Sequence, residues 1–157
     1  MKPILDACCG SRMFWFDKDN PDVEFMDIRD EVCTLSDGQV CIVHPNTIGD
    51  FTNMPYPDNT FYHVVFDPPH LVWAGKSANI YKRYGRLQKN WQEELRLGIE
   101  ECLRVVKPYG TVVFKWNETQ LKLNTILKAI GHVPLYGHRR ANKGKTIWML
   151  FMKFPNQ

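Results

Sequence analysis

The apolar run Tyr62-His63-Val64-Val65-Phe66, followed at once by Asp67-Pro68-Pro69-His70, constrains the fold of this chain most. The run reads as a buried strand. An acid and two prolines at its carboxyl end make a rigid polar lip. Proline fixes φ and has no amide hydrogen, so successive carbonyls there are held outward as acceptors. Ligands of open α/β sheets bind outside the carboxyl ends of strands. A carboxylate beside a fixed carbonyl suits an exocyclic NH2 group, which offers two donors. The same residues also suit a plain turn, which Pro and Asp favour.

The amino terminus repeats the pattern. Pro3-Ile4-Leu5-Asp6 is a short apolar strand ending in an acid, and Ala7-Cys8-Cys9-Gly10-Ser11-Arg12 is a turn of mostly small residues. Val23-Glu24-Phe25-Met26-Asp27 is a second strand ending in an acid. Gly49-Asp50-Phe51, with Met54-Pro55-Tyr56 and Asn59-Thr60-Phe61, precedes the Tyr62 strand. Val106-Lys107-Pro108-Tyr109-Gly110 leads into a further strand, Thr111-Val112-Val113-Phe114.

In this order and spacing, the segments resemble the class I S-adenosylmethionine-dependent methyltransferases, over roughly residues 3 to 154. The match is to the acid, the central glycine and the small neighbours of the family's first loop; Cys8 and Arg12 stand where the family often has glycines. Asp-Pro-Pro-His is similar to the motif of the amino-methyltransferases within that class, with His70 where relatives use Tyr, Phe or Trp. The resemblance implies a single domain over residues 1–157. It implies an α/β fold, a three-layer Rossmann-like sheet that is mostly parallel, in strand order 3-2-1-4-5-7-6 with the last strand antiparallel. It implies S-adenosyl-L-methionine as cofactor, held by Asp6, Cys8 and Gly10 of the loop. Asp27 is then expected on the ribose hydroxyls, Asp50 on the adenine amino group and Phe51 against the adenine ring. The Gly-x-Gly-x-x-Gly of an NAD-type domain is absent.

The other elements follow from periodicity. Asp27 lies closer to Gly10 than the roughly 20 residues usual in nucleotide folds, so the first helix, near 11–16, should be stunted. Val32–Leu35 and Val40–Val43 flank Ser36-Asp37-Gly38 as a small hairpin, with Cys33 facing Cys41. Leu95, Ile99, Cys102, Leu103 and Val106 predict a helix over 91–106 stopped by Pro108. A second helix is expected over 118–130, ended by Gly131. Two strands follow, over 132–136 and 145–154, the latter apolar enough to be buried on both faces. The cluster Met13-Phe14-Trp15-Phe16 reads as core, with one ring against the cofactor's methionine part.

Composition excludes several classes. With 157 residues, 44% apolar and 13% aromatic, one folded core is expected, not disorder. No run of about 18 apolar residues is present, so no membrane partner is expected. The start has no apolar signal-peptide core. The five cysteines are an odd number without metal spacing, so reduced thiols, a cytoplasmic location and no metal are expected. His44, His63, His132 and His138 read as structural.

Charge adds a functional clue. Residues 1–67 hold twelve acids and four bases; residues 68–157 hold five acids and sixteen bases. Over 71–92, bases interleave with aromatics, among them Trp73, Lys82, Arg83 and Tyr84; a second basic cluster includes Arg139 and Arg140. Cations meeting phosphates and rings stacking on unpaired bases suit nucleic acid, although a solvated loop has the same composition. The expected acceptor is an exocyclic amino group of a base in DNA or RNA. Asp67, Pro68 and Pro69 would bind it, and His70 would stack on the base. A duplex base is unreachable, so the target is flipped or single-stranded. With no room for a target-recognition domain, loose sequence preference, an RNA or structured-loop substrate, or a partner that supplies specificity is expected. Lys115-Trp116 ends its strand at the substrate cleft. Two other readings stay open: a small-molecule or protein methyltransferase with His70 as general base, and a non-catalytic nucleic-acid-binding module of the same fold. The sequence marks no oligomeric interface.

Overall fold

The computed structural model describes residues 1–139 and 143–155. Its elements in order are β1 (Ile4–Asp6), β2 (Val23–Asp27), β3 (Glu31–Thr34), β4 (Val40–Val43), β5 (Thr47–Ile48), β6 (Phe61–Phe66), α1 (Asn79–Tyr84), α2 (Trp91–Val105), β7 (Val106–Asn117), α3 (Leu123–Ile130), β8 (Tyr136–Gly137) and β9 (Thr146–Met152). Seven strands form one sheet in the order β5-β2-β1-β6-β7-β9-β8, and β3 and β4 form a separate hairpin. Numbered within the sheet alone, the order is 3-2-1-4-5-7-6, as expected. The pairs from β5 to β7 are parallel. β9 runs antiparallel to both its neighbours.

The core explains why these segments are strands. Leu5, Met26, Val64, Phe66, Val112, Phe114 and Trp116 point to one face and bury completely, or nearly so, under α2 and α3. From α2 come Leu95, Ile99, Cys102 and Val105, at helical spacing. Gly98 belongs to this stripe because a Cβ there would come within 2.6 Å of the Phe66 ring and 2.8 Å of Phe51. Its absence lets the helix approach the sheet and seats Phe51.

The other face departs from expectation. Val23 and Phe25 are buried there against Cys9 and Trp15, and the cover is a run of turns rather than a helix. The stunted first helix expected near 11–16 is absent. Arg12 adopts φ +54, which a right-handed helix forbids, and its guanidinium lies 4.0 Å from the Phe25 ring centroid. Trp15 is tethered through Nε1 to Asp6 Oδ2 at 2.7 Å. Phe16 is fully exposed, so the Met13–Phe16 cluster is only partly core.

Other boundaries shift for local reasons. α2 ends at Val105, and β7 begins at Val106, before Pro108. The register of β7 slips opposite Phe61 and His63, where Tyr109 takes φ +63. α3 begins at Leu123, not at residue 118, because the Glu118 carboxylate accepts the Leu123 amide at 2.8 Å and Asn117 makes a turn with Thr119. Gly131 closes α3 in the left-handed conformation, as expected. The strand expected over 132–136 is only Tyr136–Gly137, and the one expected over 145–154 is Thr146–Met152. β9 buries one face fully and the other by half, where its half-covered Trp148 meets the Phe14 ring edge-on at 5.7 Å and the Lys115 ammonium at 5.6 Å. Cys33 is paired opposite Cys41, and all five cysteines are free thiols. No helix among the described residues is long and apolar enough to cross a membrane.

Candidate cofactor and acceptor site

The carboxyl ends of β1, β2, β6 and β7 surround a cavity of about 540 Å3 whose wall includes Cys8, Gly10, Asp27, Phe51, Asp67 and Lys115. That volume lies within the roughly 300–1,000 Å3 range of small-molecule sites.

The loop after β1 is held by its own backbone and by two acids. The Ala7 amide donates to the Val65 carbonyl, and the Cys9 amide donates to the Met26 carbonyl. Gly10, at φ +49, donates its amide to Asp27 Oδ2 at 2.9 Å. Asp6 lies beneath the loop, not on the cavity wall. It is fully buried and accepts from the Cys8 amide at 3.2 Å and from Trp15 Nε1. Burial pushes its carboxyl up to about 7, against the opposing pull of those two hydrogen bonds. Burial also raises the Cys8 thiol well above its ordinary value and pushes Cys9 up to about 12, so neither is a thiolate nucleophile at neutral pH.

Asp27 reaches the cavity already partnered. Its Oδ1 accepts from the Arg29 amide at 2.9 Å and from Arg29 Nε at 3.2 Å. A carboxylate has about four lone-pair sites, so capacity for a ligand hydroxyl remains. Phe51 lines the wall and packs edge-on against Phe66 at 5.3 Å. Asp50 does not line it: its Oδ1 turns back to the amide and hydroxyl of Thr52, both at 2.8 Å.

The Asp67 lip lies across the cavity from the loop. Phe66 pairs with Phe114 between parallel strands, so the next residues, Asp67 and Lys115, stand side by side at the carboxyl edge. Lys115 Nζ lies 2.6 Å from Asp67 Oδ2. The ammonium also lies 5.2 Å from the Phe14 ring centroid and 5.6 Å from that of Trp148. Asp67 Oδ1 is buried and accepts no hydrogen bond; His70 Nε2 approaches it to 2.9 Å without hydrogen-bond alignment. The His70 ring sits edge-on to Trp116 at 5.0 Å, with Nε2 3.3 Å from the Lys115 carbonyl. It is held against the lip here, not presented as an open stacking surface. Pro68 and Pro69 complete the wall, with Pro68 buried.

Of the expected substrate residues, Arg83 and Tyr84 line the cavity from α1. Lys82 does not: its Nζ donates to the Thr34 carbonyl at 2.9 Å. Arg83 also donates to Gln39 Oε1 at 2.6 Å, and Tyr84 Oη lies 3.7 Å from Met13 Sδ. Trp73 and Arg139 are exposed outside the cavity wall. Arg140 lies outside the described residues. The β3–β4 hairpin thus carries α1 over the cavity, helped by a reciprocal pair between Ser36 and Asn79 at 2.9 and 2.6 Å. Sequence reasoning missed that latch, the bridge that Arg29 makes from Asp27 to the Lys82 carbonyl of α1, and the Lys115–Asp67 pair. A lone lysine closing an apolar strand was the available signal for the last. No cluster able to hold a metal occurs among the described residues.

No protein-family profile and no curated sequence matches this chain. Solved structures do. The PH0226 protein from Pyrococcus horikoshii OT3 matches with a TM-score of 0.60 at 14% identity, covering 96% of this chain and 81% of that one. The N-methyltransferase NodS from Bradyrhizobium japonicum WM9 matches at 0.55 and 11%, covering 98% and 86%. A TehB-like SAM-dependent methyltransferase from Corynebacterium glutamicum matches at 0.53 and 12%, covering 98% and 82%. The chain has the class I methyltransferase fold. In that fold the cavity described here lies at the carboxyl edge of the central strands, where ligands of such sheets bind.

Proposed function

We propose that this chain is an S-adenosylmethionine-dependent methyltransferase acting on an exocyclic amino group of a base in DNA or RNA. The observation that carries the reading is the Asp67-Pro68-Pro69 lip on the wall of a ligand-sized cavity, with Asp67 Oδ1 a buried acceptor that His70 Nε2 approaches to 2.9 Å without completing a hydrogen bond. Such an atom costs stability unless something fills its bonding capacity, and an amino N–H does so.

The chain's residues fit the cofactor. Ala7, Cys8 and Gly10 keep the loop low, and a Cβ added at Gly10 would find its nearest neighbour 4.0 Å away, so the space above it is open. Asp27 retains acceptor capacity for ribose hydroxyls, and Phe51 offers an apolar wall for a ring. When bound, S-adenosylmethionine supplies a methyl group whose bond to sulfur breaks, its electron pair staying on sulfur, as the acceptor nitrogen's lone pair forms the new bond and that nitrogen's proton passes to solvent. Asp67 accepts one amino hydrogen and turns the nitrogen lone pair out of the ring plane. Pro68 and Pro69 hold Asp67 in place by their fixed φ. α1 closes one side of the site with Ile80, Tyr81, Arg83 and Tyr84.

The basic carboxyl-terminal half and the exposed Trp73 support a nucleic-acid acceptor. A small-molecule acceptor, with His70 as base, is the second reading. It is favoured by the engagement of Lys82, Arg83 and Arg86 with protein acceptors, which leaves fewer cations for phosphates. One experiment tests both. Labelled methyl transfer is measured from S-adenosylmethionine to single-stranded RNA, single-stranded DNA and pooled small amines, with Asp67→Ala beside wild type. Transfer to polynucleotide with a steep salt dependence, lost in the variant, supports the first reading. Transfer to small amines alone supports the second. Unchanged transfer by Asp67→Ala contradicts the role of the lip in either.

A further inference from the structure

The β3–β4 hairpin carries two thiols that the cavity chemistry does not use. Cys33 and Cys41 stand directly opposite each other across the two strands. The Leu35 amide donates to the Gln39 carbonyl. Two residues along, Cys33 and Cys41 therefore fall at the next hydrogen-bonded pair of the ladder, where Cα atoms lie about 5.5 Å apart. A disulfide spans about 4.4–6.8 Å between Cα atoms, so a bridge is within reach. Cys41 is buried, while Cys33 is half-buried and meets solvent. Burial raises the Cys41 thiol, and the neighbouring Cys33 adds to that shift, so Cys33 is the sulfur placed to react first.

The pair lies between two walls of the cavity. The Ser11 hydroxyl hydrogen-bonds Cys41, and Ser11 lines the cavity from the loop after β1. Cys33 Sγ donates to the Lys82 carbonyl of α1 at 3.9 Å, the same carbonyl that Arg29 reaches. The hairpin also holds α1 through the Thr34 carbonyl, the Gln39 side chain and Ser36.

We propose that Cys33 and Cys41 are a reversible oxidation site, closed to a disulfide by hydrogen peroxide, and that closure loosens α1 from the cavity. The Cys33 sulfur attacks one peroxide oxygen, the O–O bond breaks, and a sulfenic acid forms with release of water. The Cys41 sulfur then attacks the Cys33 sulfur. The S–S bond forms, the S–O bond breaks and a second water leaves. The peroxide takes up two electrons and both thiol protons and becomes the two waters. A small thiol reopens the bridge by exchange, and is itself oxidised to its disulfide.

Closure changes the hairpin. Directly opposed Cβ atoms at a hydrogen-bonded pair stand about 5.5 Å apart, and a disulfide draws them to about 3.5–4.5 Å. The strands pinch, and the Thr34, Ser36 and Gln39 contacts to α1 shift with them. The Cys33 thiol hydrogen that met the Lys82 carbonyl is lost as well.

The test uses the full chain and does not depend on what the cavity binds. Wild type is treated with hydrogen peroxide and then with dithiothreitol. Mass mapping of alkylated peptides reads the linkage, and amide exchange reads residues 79–84 in each form. Expected are a Cys33–Cys41 linked peptide lighter by two hydrogens and its return to free thiols with dithiothreitol. Exchange over 79–84 should be faster in the oxidised form by about threefold or more, the effect of about one lost hydrogen bond. Cys33→Ser and Cys41→Ser should show neither the linkage nor the change in exchange. Cys33 that passes to the sulfinic acid without joining Cys41 overturns the proposal, and so does a bridge from either residue to another cysteine. A Cys33–Cys41 disulfide with unchanged or slower exchange at 79–84 overturns the coupling to α1. Both forms compared are wild type, so these results stand whether or not the serine variants fold.

Discussion

The Gly10 amide donates to Asp27 Oδ2 at 2.9 Å, so the acid that ends the second strand pins the loop that follows the first. The other Asp27 oxygen holds Arg29, whose Nη1 reaches the Lys82 carbonyl of α1 at 3.2 Å. One carboxylate thus links the floor of the cavity to its roof.

Asp27→Ala is predicted to lower stability by about 1–3 kcal/mol, because it strands the Gly10 amide and removes the acceptor of the Arg29 amide and Nε. Affinity for S-adenosylmethionine should fall at least tenfold. Denaturant titration and calorimetry of the variant read the two effects separately; full affinity in a destabilised protein removes Asp27 from the cofactor site.

Two glycine substitutions should fail for different reasons. Gly10→Ala forces a side chain into φ +49 with open space around it, so about 1–2 kcal/mol of conformational strain is expected. Gly98→Ala puts a methyl 2.6 Å from Phe66 and 2.8 Å from Phe51. Overpacking of this kind costs about 1–3 kcal/mol. Because Phe51 lines the cavity, Gly98→Ala should also weaken cofactor binding from a position outside the wall. Stability and affinity measured for both variants check the contrast.

The pH dependence of stability should carry the mark of Asp6. Its folded value, about 7, lies above the ordinary 3.8. Between those values the folded chain keeps a proton that the unfolded chain has lost, so stability falls as pH rises through the window. Above it, the cost of the buried charge is present in full. Relative to Asp6→Asn, wild type should therefore lose Tm steadily between about pH 4 and pH 7 and then level off. Parallel curves for the two proteins would contradict this.

Loosening the roof should affect binding more than folding. Asn79→Ala removes both Ser36 bonds, which are exposed, so global stability should drop by no more than about 1 kcal/mol. Amide exchange over α1 should quicken, and cofactor affinity should fall severalfold. Unchanged exchange at residues 79–84 would show that the hairpin does not hold the helix.

What was legible in the sequence was local. Asp6 and Asp27 end apolar runs and Asp67 follows one; the resemblance carried by those runs implied all three at the ligand site, and Asp27 and Asp67 line the cavity while Asp6 lies beneath the loop. The sheet order was implied by the family resemblance that those runs carry, and the sheet has it. What was not legible depends on distant pairings. The missing first helix reflects the Trp15 tether to Asp6 and the Arg12 guanidinium over Phe25, neither visible in residues 11–16 alone. The Lys115–Asp67 pair exists because Phe66 is in register with Phe114. Lys82 points to Thr34 rather than outward only because the hairpin lies beside α1. Asp50 is the exception, since its carboxylate is lost to a purely local turn with Thr52 that favours Asp.

The most direct test is a calorimetric titration of S-adenosylmethionine into wild type and Asp67→Ala, followed by methyl transfer to single-stranded RNA and DNA from the same samples. The account predicts micromolar binding to both proteins and transfer by wild type alone. No saturable binding to wild type at millimolar concentration would contradict it.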